Sequence, residues 1–140
     1  MKLGVRMAAA PADSLPLGAS EHIVIVRQAV RRKAIELGFS LVDQTKIVTA
    51  ASELARNTIQ HGGGGKATIE VVSDGQRRGL RLVFEDAGPG IADMALAMKD
   101  GYSTGGGLGL GLSGAKRLSN EFSISSTPGA GTRVAITRWK

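Results

Sequence analysis

The spacing of apolar residues changes from a helical to an alternating pattern near the middle of this chain, and that change limits the folds that the chain can adopt. Between Ser20 and Gly62 the apolar residues recur every three or four positions, which is typical of amphipathic helices. After the glycines at 62–65, apolar and polar residues largely alternate, which is typical of strands with one buried face. This order predicts an α/β protein of the α+β two-layer type, in which helices cover one face of a single mixed, mainly antiparallel sheet.

Two helices are predicted in the first half of the chain. The first has Ser20 as its N-cap and ends at Gly38. The second begins at Ser40, where Asp43 completes a capping-box-like pattern. The inward-facing residues of the two helices are predicted to be Ile23, Val26, Val30, Ala34 and Leu37, then Ile47, Val48, Ala51, Leu54, Ala55 and Ile59.

The remaining predicted elements are shorter. They are an edge strand near 14–17, a hairpin of strands 66–73 and 80–86, short helices at 92–100 and 109–120, and a final hairpin of strands 122–126 and 132–139. Residues 1–13 show little periodicity and are expected to form a loose N-terminus. Residues 14–140 are long enough for one domain with a single core.

Composition excludes several classes of protein and site. The 140 residues include no cysteine and 2 histidines, which excludes disulfides and thiolate sites and makes a zinc centre improbable. No apolar run approaches the roughly 20 residues of a membrane span. The apolar part of the N-terminus is too short for a signal peptide. A cytoplasmic protein with no membrane partner is therefore expected.

The net charge of +6 raises the question of nucleic acid. The dense basic cluster comprises Arg27, Arg31, Arg32 and Lys33, and no aromatic residue interleaves with it as a stacking surface would require. Direct nucleic-acid binding is therefore not expected. The charge would instead attract nucleotide phosphates or an acidic protein partner, or the cluster is simply a solvated helix face.

A carboxylate ends the 80–86 strand on its apolar side. Leu80, Leu82 and Phe84 share the parity of Asp86, so this carboxylate should point toward the buried face, where it needs hydrogen-bond donors. The exocyclic amine of an adenine, or a water shared with it, would supply one. The alternative is that Asp86 caps the backbone amides of the turn at 88–90.

A glycine-rich segment at 101–111 leads into a predicted helix, where exposed backbone N–H groups favour anion binding. It is not a P-loop, because Lys116 does not follow the required pattern. The G-x-G-x-x-G match at 109–114 lacks a leading strand and a later acidic residue, so a dinucleotide fingerprint is rejected. The segment is either a phosphate-binding lid or a flexible loop with no ligand.

Glu53 and Asn57 lie four residues apart, which puts their Cβ atoms about 5–6 Å apart on one helix face. The carboxylate could accept a proton from a hydroxyl group. The amide oxygen could complete the shell of a Mg²⁺ ion that keeps its waters and phosphate ligands. Taken alone, the same pair would also suit a solvated helix.

In this order the segments resemble the GHKL ATPase superfamily, whose members share the Bergerat-type ATP-binding fold. Residues 52–57 are similar to its N box, 86–90 to its first glycine box, 105–111 to its lid and 129–132 to its last box. Within the superfamily the chain looks most like the small anti-sigma regulatory serine/threonine kinases, and among those the switch kinases of the stressosome.

The resemblance implies a kinase that uses ATP and Mg²⁺ to phosphorylate serine or threonine on STAS-domain proteins. After release from them, it would activate a PP2C-type phosphatase. Glu53 would be the general base, Asn57 the Mg²⁺ ligand and Asp86 the residue that selects adenine, supported by the hydroxyl of Thr132. The implied ATP-binding residues are Asn57, His61, Asp86, Gly88, Gly90, Ile91, Gly105, Gly106, Gly107, Leu108, Gly109, Leu110, Gly111 and Thr132.

Two other functions are weighed against this one. The catalytic domain of a histidine kinase is disfavoured, because the chain carries no dimerisation helix with a phosphoacceptor histidine and its lid is short. An anti-sigma factor that sequesters a sigma factor, with ATP as a structural ligand, stays open, since the basic first helix would suit such an interface.

Overall fold

A computed structural model describes residues 12–99 and 111–140, together with the backbone of residues 7–8. The elements in chain order are β1 (Met7–Ala8), β2 (Asp13–Leu17), α1 (Ser20–Glu36), α2 (Leu41–Gln60), β3 (Gly65–Ser73), β4 (Arg78–Asp86), α3 (Met94–Ala97), α4 (Gly111–Arg117), β5 (Glu121–Thr127) and β6 (Gly131–Trp139).

The strands form one six-stranded sheet in the order β1-β3-β4-β6-β5, with β2 also paired to β3. Every pairing among the described strands is antiparallel. The two predicted hairpins, β3–β4 and β5–β6, are both present, and pairing of β4 with β6 joins them. The predicted fold class, a mainly antiparallel sheet with helices packed on it, is confirmed.

The core lies between the helices and one face of the sheet. Alternate residues of the strands, such as Ile69, Leu82 and Ile136, are 0–1% exposed and belong to the same buried cluster as the inward residues of α1 and α2. The predicted helix stripes are confirmed, with Ile23 and Ile59 only partly buried at their margins. The change of period at the end of α2 therefore marks the point where the chain passes from the two long helices to the sheet.

The two predicted N-caps have different outcomes. Ser40 caps α2, because its hydroxyl accepts a hydrogen bond from the Asp43 N–H at 3.1 Å. The prediction for Ser20 is wrong, since the N-cap of α1 is Ala19. The His22 ring takes the place of a capping side chain here, as its Nδ1 accepts from the backbone N–H of Gly18 at 2.9 Å.

The turns that connect the strands of the two hairpins lie where the sequence predicts. In the β3–β4 turn, backbone N–H groups of Arg77 and Gln76 donate to the Asp74 carboxylate and lower its pKa to about 2. The β5–β6 turn is also located as predicted, around Gly129.

Several element boundaries differ from the prediction. A helix was predicted at 92–100, but within the described residues α3 spans only Met94–Ala97. It begins there because the Asp93 side chain caps it, accepting a hydrogen bond from the Leu96 N–H at 3.0 Å. Helix α4 ends at Arg117 instead of residue 120. The Asn120 side chain accepts from the Trp139 N–H at 2.7 Å, so this residue belongs to the sheet edge. The predicted helix boundaries at residues 100 and 109 fall on residues outside the described ranges.

The N-terminal region contributes more to the sheet than the sequence indicates. Asp13 already belongs to β2, and Met7–Ala8 pairs with Ser73 and Val72 of β3 as a further short strand. The sequence does not predict this strand, because two residues are too few to show a period.

Candidate nucleotide-binding site

A cavity of about 390 Å³ opens between the helical layer and the ends of β4 and β6. This volume lies in the range typical of small-molecule sites. Its lining combines the predicted site residues Asn57, His61, Asp86, Gly90, Ile91, Gly111 and Thr132 with an apolar wall that includes Leu54, Phe84, Leu96, Leu112 and Val134. Residues that are far apart in the sequence thus meet around one concave space.

Asp86 is half-buried at the end of β4 and lines this cavity. Its Oδ1 accepts a hydrogen bond from the Gly88 N–H at 2.9 Å. The turn-capping alternative raised from the sequence is therefore realised for one carboxylate oxygen. Because Asp86 also lines the cavity, capping of the turn and contact with a ligand are compatible.

Close backbone packing surrounds the Asp86 carboxylate. A Cβ atom added at Gly62, just after α2, would lie 2.2 Å from the Asp86 Cγ. One added at Gly88 would lie 2.6 Å from the Gly62 carbonyl oxygen. Neither position has room for a side chain, so the glycines let the end of α2 approach β4. In the sequence, Gly62 marks only the end of the helical pattern, although a glycine run beside the predicted pocket could have indicated this contact.

Hydrogen bonds to a pair of hydroxyl groups, those of Ser126 and Thr132, connect the turn after β4 to the last hairpin. The Ile91 N–H donates to the Ser126 Oγ at 2.7 Å, and that hydroxyl lies 2.9 Å from the Thr132 Oγ1. Among the described residues, the Thr132 hydroxyl thus pairs with Ser126, not with Asp86 as the resemblance implied. Sequence reasoning missed Ser126, although it shares the inward parity of Phe122 and Ile124.

Gly90 allows the same turn to lie against the β5–β6 loop. Its φ is +77°, which is in the left-handed region, and a Cβ atom there would lie 2.4 Å from the Thr127 carbonyl oxygen. The Gly129 N–H also donates to the Pro89 carbonyl oxygen at 2.7 Å. Contacts between the two hairpins therefore fix the position of Gly90 and Ile91, which line the cavity.

The two predicted residues of the N box have different surroundings. Asn57 lines the cavity, whereas Glu53 does not, although both lie on α2. Glu53 is 4% exposed, and its Oε1 accepts a hydrogen bond from the Arg56 Nη1 at 2.9 Å. The sequence predicted a shared helix face but not this ion pair.

His61 is the C-cap of α2, and it lines the cavity. Of the predicted lid, Gly111 lines the cavity at the start of α4. The lid residues Gly105, Gly106, Gly107, Leu108, Gly109 and Leu110 lie outside the described residues.

Comparison with known proteins identifies the family. The family model described as "Histidine kinase-, DNA gyrase B-, and HSP90-like ATPase" matches residues 42–140. That range includes every element from α2 to β6 except the first residue of α2. The chain belongs to this ATPase family.

Among its relatives is the serine/threonine-protein kinase RsbT of Bacillus subtilis (strain 168), which is 51% identical over 117 residues, 84% of this chain and 88% of that protein. The anti-sigma F factor of Thermoanaerobacter sp. (strain X514) is 30% identical over 129 residues, 88% of this chain and 89% of that protein. These similarities support ATP binding, serine/threonine-protein kinase activity and a regulatory partner-switch function.

A solved structure confirms the fold independently of close sequence identity. The crystal structure of the RsbU and RsbW domains of Rv1364c from Mycobacterium tuberculosis matches with a TM-score of 0.60 at 20% identity. The match covers 94% of this chain and 33% of that one. Within the part of the chain that the structure describes, none of the helices is long and apolar enough to cross a membrane.

Proposed function

We propose that this chain is a cytoplasmic switch kinase that transfers the γ-phosphoryl group of ATP to a serine or threonine of a STAS-domain protein. When released from that protein, it binds and activates a PP2C-type phosphatase. The observation that carries the proposal is the meeting of Asn57, Asp86 and Thr132 around one cavity, in a chain 51% identical to a serine/threonine-protein kinase.

In this proposal the adenine end of ATP lies against Asp86, and the phosphates extend toward Asn57 and the start of α4. Asp86 uses one oxygen for the Gly88 N–H, which leaves the other for the exocyclic amine of adenine or for a water bound to it. Phe84, Leu96 and Val134 supply apolar surface for the base. The backbone at Gly111 belongs to the side that would face the phosphates.

Mg²⁺ fits the residues present as an ion held mainly by phosphates and water. No cluster of three or more His, Cys, Asp or Glu residues that could bind a metal occurs among the described residues. Asn57, which carries a side-chain amide, however lines the cavity. Mg²⁺ bound together with a nucleotide keeps several waters and takes few protein ligands, so a single amide oxygen could complete its shell. The ion would neutralise phosphate charge and orient the phosphates.

Glu53 is the proposed general base. As the acceptor hydroxyl oxygen bonds to the γ-phosphorus, the bond from that phosphorus to the β–γ bridging oxygen breaks, and ADP leaves with the electron pair. Glu53 takes the hydroxyl proton. Most of the rate acceleration in phosphoryl transfer comes from positioning the reactants and neutralising charge. A positioned general base adds roughly 10²–10⁴-fold in rate.

The test is phosphotransfer from labelled ATP, with Mg²⁺, to STAS-domain proteins encoded by the same genome. We expect label on a serine or threonine of one candidate. Glu53→Gln should lower the transfer rate roughly 10²–10⁴-fold and leave ATP affinity near that of the wild type. Glu36→Gln, an exposed glutamate on α1, is the matched control and should transfer normally.

Two results would contradict the kinase proposal: ATP binding without transfer to any candidate, or transfer that Glu53→Gln leaves unchanged. The similarity to the anti-sigma F factor favours a second candidate, a protein that sequesters a sigma factor with ATP as ligand. Stoichiometric, ATP-dependent capture of a sigma factor without phosphotransfer would support that function instead.

A further inference from the structure

The carboxylate of Glu53 forms an ion pair with Arg56 and is almost completely buried. Its side chain is 5% exposed, and its Oε1 lies 2.9 Å from the Arg56 Nη1, one helical turn further along α2. The Arg56 side chain is 30% exposed. The guanidinium therefore lies nearer to solvent than the carboxylate that it binds.

Glu53 and its partner Arg56 both lie outside the set of residues that line the cavity. Four other residues of the same stretch line the cavity, namely Leu54, Asn57, Thr58 and His61, whereas neither Glu53 nor Arg56 does. A general base has to come within hydrogen-bond reach of the proton that it accepts. With Arg56 in place, one oxygen of Glu53 is engaged and little of the carboxylate can meet water.

We propose that Arg56 is a gating residue that keeps Glu53 from activating water when no protein acceptor is docked. The inference rests on the proposed kinase function and concerns regulation of the same site. Docking of the acceptor moves the guanidinium aside and exposes the carboxylate to the acceptor hydroxyl. Movement is feasible because the Arg56 side chain is 30% exposed and can turn toward solvent, while contacts with the docked acceptor offset the loss of the ion pair.

The reaction that the gate suppresses is hydrolysis of ATP. A water oxygen bonds to the γ-phosphorus, the bond from that phosphorus to the β–γ bridging oxygen breaks, and ADP leaves with the electron pair. Glu53 takes the proton of the water, and the products are ADP and inorganic phosphate. A kinase that binds ATP before its acceptor would lose nucleotide by this route unless the base were covered.

The test is ATP hydrolysis without any acceptor, measured for wild type and Arg56→Met. Methionine keeps much of the side-chain length but removes the charge and the donors. We expect the hydrolysis rate to rise about tenfold, which is less than the roughly 10²–10⁴-fold that a fully positioned base contributes. The affinity for ATP should not change. The rise should disappear in the double variant Arg56→Met/Glu53→Gln.

Conservative and matched variants separate gating from a structural role. Arg56→Lys keeps a cationic donor and should hydrolyse ATP at nearly the wild-type rate. Arg32→Met, which truncates an exposed arginine on α1, should behave as the wild type. If Arg56→Met is poorly folded by circular dichroism, Arg56→Gln takes its place. Hydrolysis at or below the wild-type rate in the folded variant would overturn the proposal, as would a rise that persists in the double variant.

A second measurement uses the nucleotide-free protein. Thermal unfolding midpoints of Arg56→Met, Glu53→Gln and the double variant should be non-additive, because the two side chains bind each other. Additive shifts would show that the pair does not form in solution and would overturn the gate. Because these readouts need no acceptor, their failure is distinguishable from failure of the kinase proposal, which is judged by label transfer.

Discussion

Asn57 is the residue on which metal-dependent nucleotide binding should depend. Asn57 lines the cavity, and Asn57→Ala removes the one predicted protein ligand of Mg²⁺. A contact to a charged group is worth about 1.5–3 kcal/mol, so we expect affinity for Mg-ATP to fall about 10–100-fold in calorimetric titrations. Gln60→Ala removes an exposed amide from the same helix and should bind normally. Mg-ATP binding by Asn57→Ala equal to that of wild type would exclude the metal-ligand role.

Gly62 tests how closely the backbone packs around Asp86. In Gly62→Ala the new methyl group would meet the Asp86 carboxylate, at 2.2 Å from its Cγ. Overpacking of this kind costs about 1–3 kcal/mol, and the displaced carboxylate should also weaken ATP binding. Urea unfolding and nucleotide titration measure the two effects.

The control for this substitution is Gly18→Ala, where the nearest atom to the new methyl group is 3.9 Å away. Surface changes of that kind stay within about 0.5 kcal/mol. Equal urea midpoints for the two variants would contradict the steric account of Gly62.

At the scale of elements, an ion pair joins three segments away from the cavity. The Arg138 Nη2 of β6 donates to the Asp43 Oδ1 of α2 at 2.6 Å, and its Nη1 donates to the Leu118 carbonyl oxygen just after α4. The hydrogen bond from Arg138 is the main cause that lowers the pKa of Asp43 below 3.8. Asp43, which was expected to complete a capping box, thus also joins α2 to β6, while a side-chain hydrogen bond with the N-cap residue Ser40 is a further cause of its lowered pKa.

The lowered pKa of Asp43 predicts how stability depends on pH. The contribution of Asp43 is fully present above its unfolded-state pKa of about 3.9. It is lost as pH falls through the lower folded-state value. The difference in urea midpoint between wild type and Asp43→Asn should therefore be largest near neutral pH and narrow below about pH 4.

Asp13→Asn, at an exposed carboxylate on β2, is the control for this pH series. Its urea midpoint should follow that of the wild type throughout. A gap between wild type and Asp43→Asn that stays constant down to about pH 3, below the unfolded-state pKa, would contradict the role of the Asp43–Arg138 pair.

At the scale of the whole molecule, the cavity is lined by residues of α2, β4, α3, α4 and β6, so a ligand there should stabilise the fold as a unit. At about 100 times its dissociation constant, Mg-ATP should add about 2.7 kcal/mol to the free energy of unfolding. Asp86→Asn should lose most of this gain, since the carboxylate that would accept from adenine is removed.

Mg-GTP provides the comparison for that measurement, because guanine presents no amine at the position of the adenine amine. It should raise the unfolding midpoint less than Mg-ATP at the same concentration. Equal stabilisation by the two nucleotides would contradict adenine selection by Asp86.

The sequence alone determined the longer elements and their faces. Helical and alternating periods indicate which side of each segment is buried, so the periods by themselves place Val26, Leu54 and Leu82 in the core. The fold class and the family were also readable, because the boxes around Asn57 and Asp86 are local patterns in a set order. Short pieces such as Met7–Ala8 and α3 were missed or misjudged, since they are too brief to show a period.

Only the tertiary structure decided which side chains meet. The hydroxyl pair of Ser126 and Thr132, the approach of Gly62 to Asp86 and the Asp43–Arg138 bridge all join residues that no local period relates to each other. Even the Glu53–Arg56 pair, three residues apart, depends on which rotamers the packing allows. A period states which face of an element is buried, but the partner of each polar group is set by how closely the elements pack and by which neighbours remain within hydrogen-bond distance.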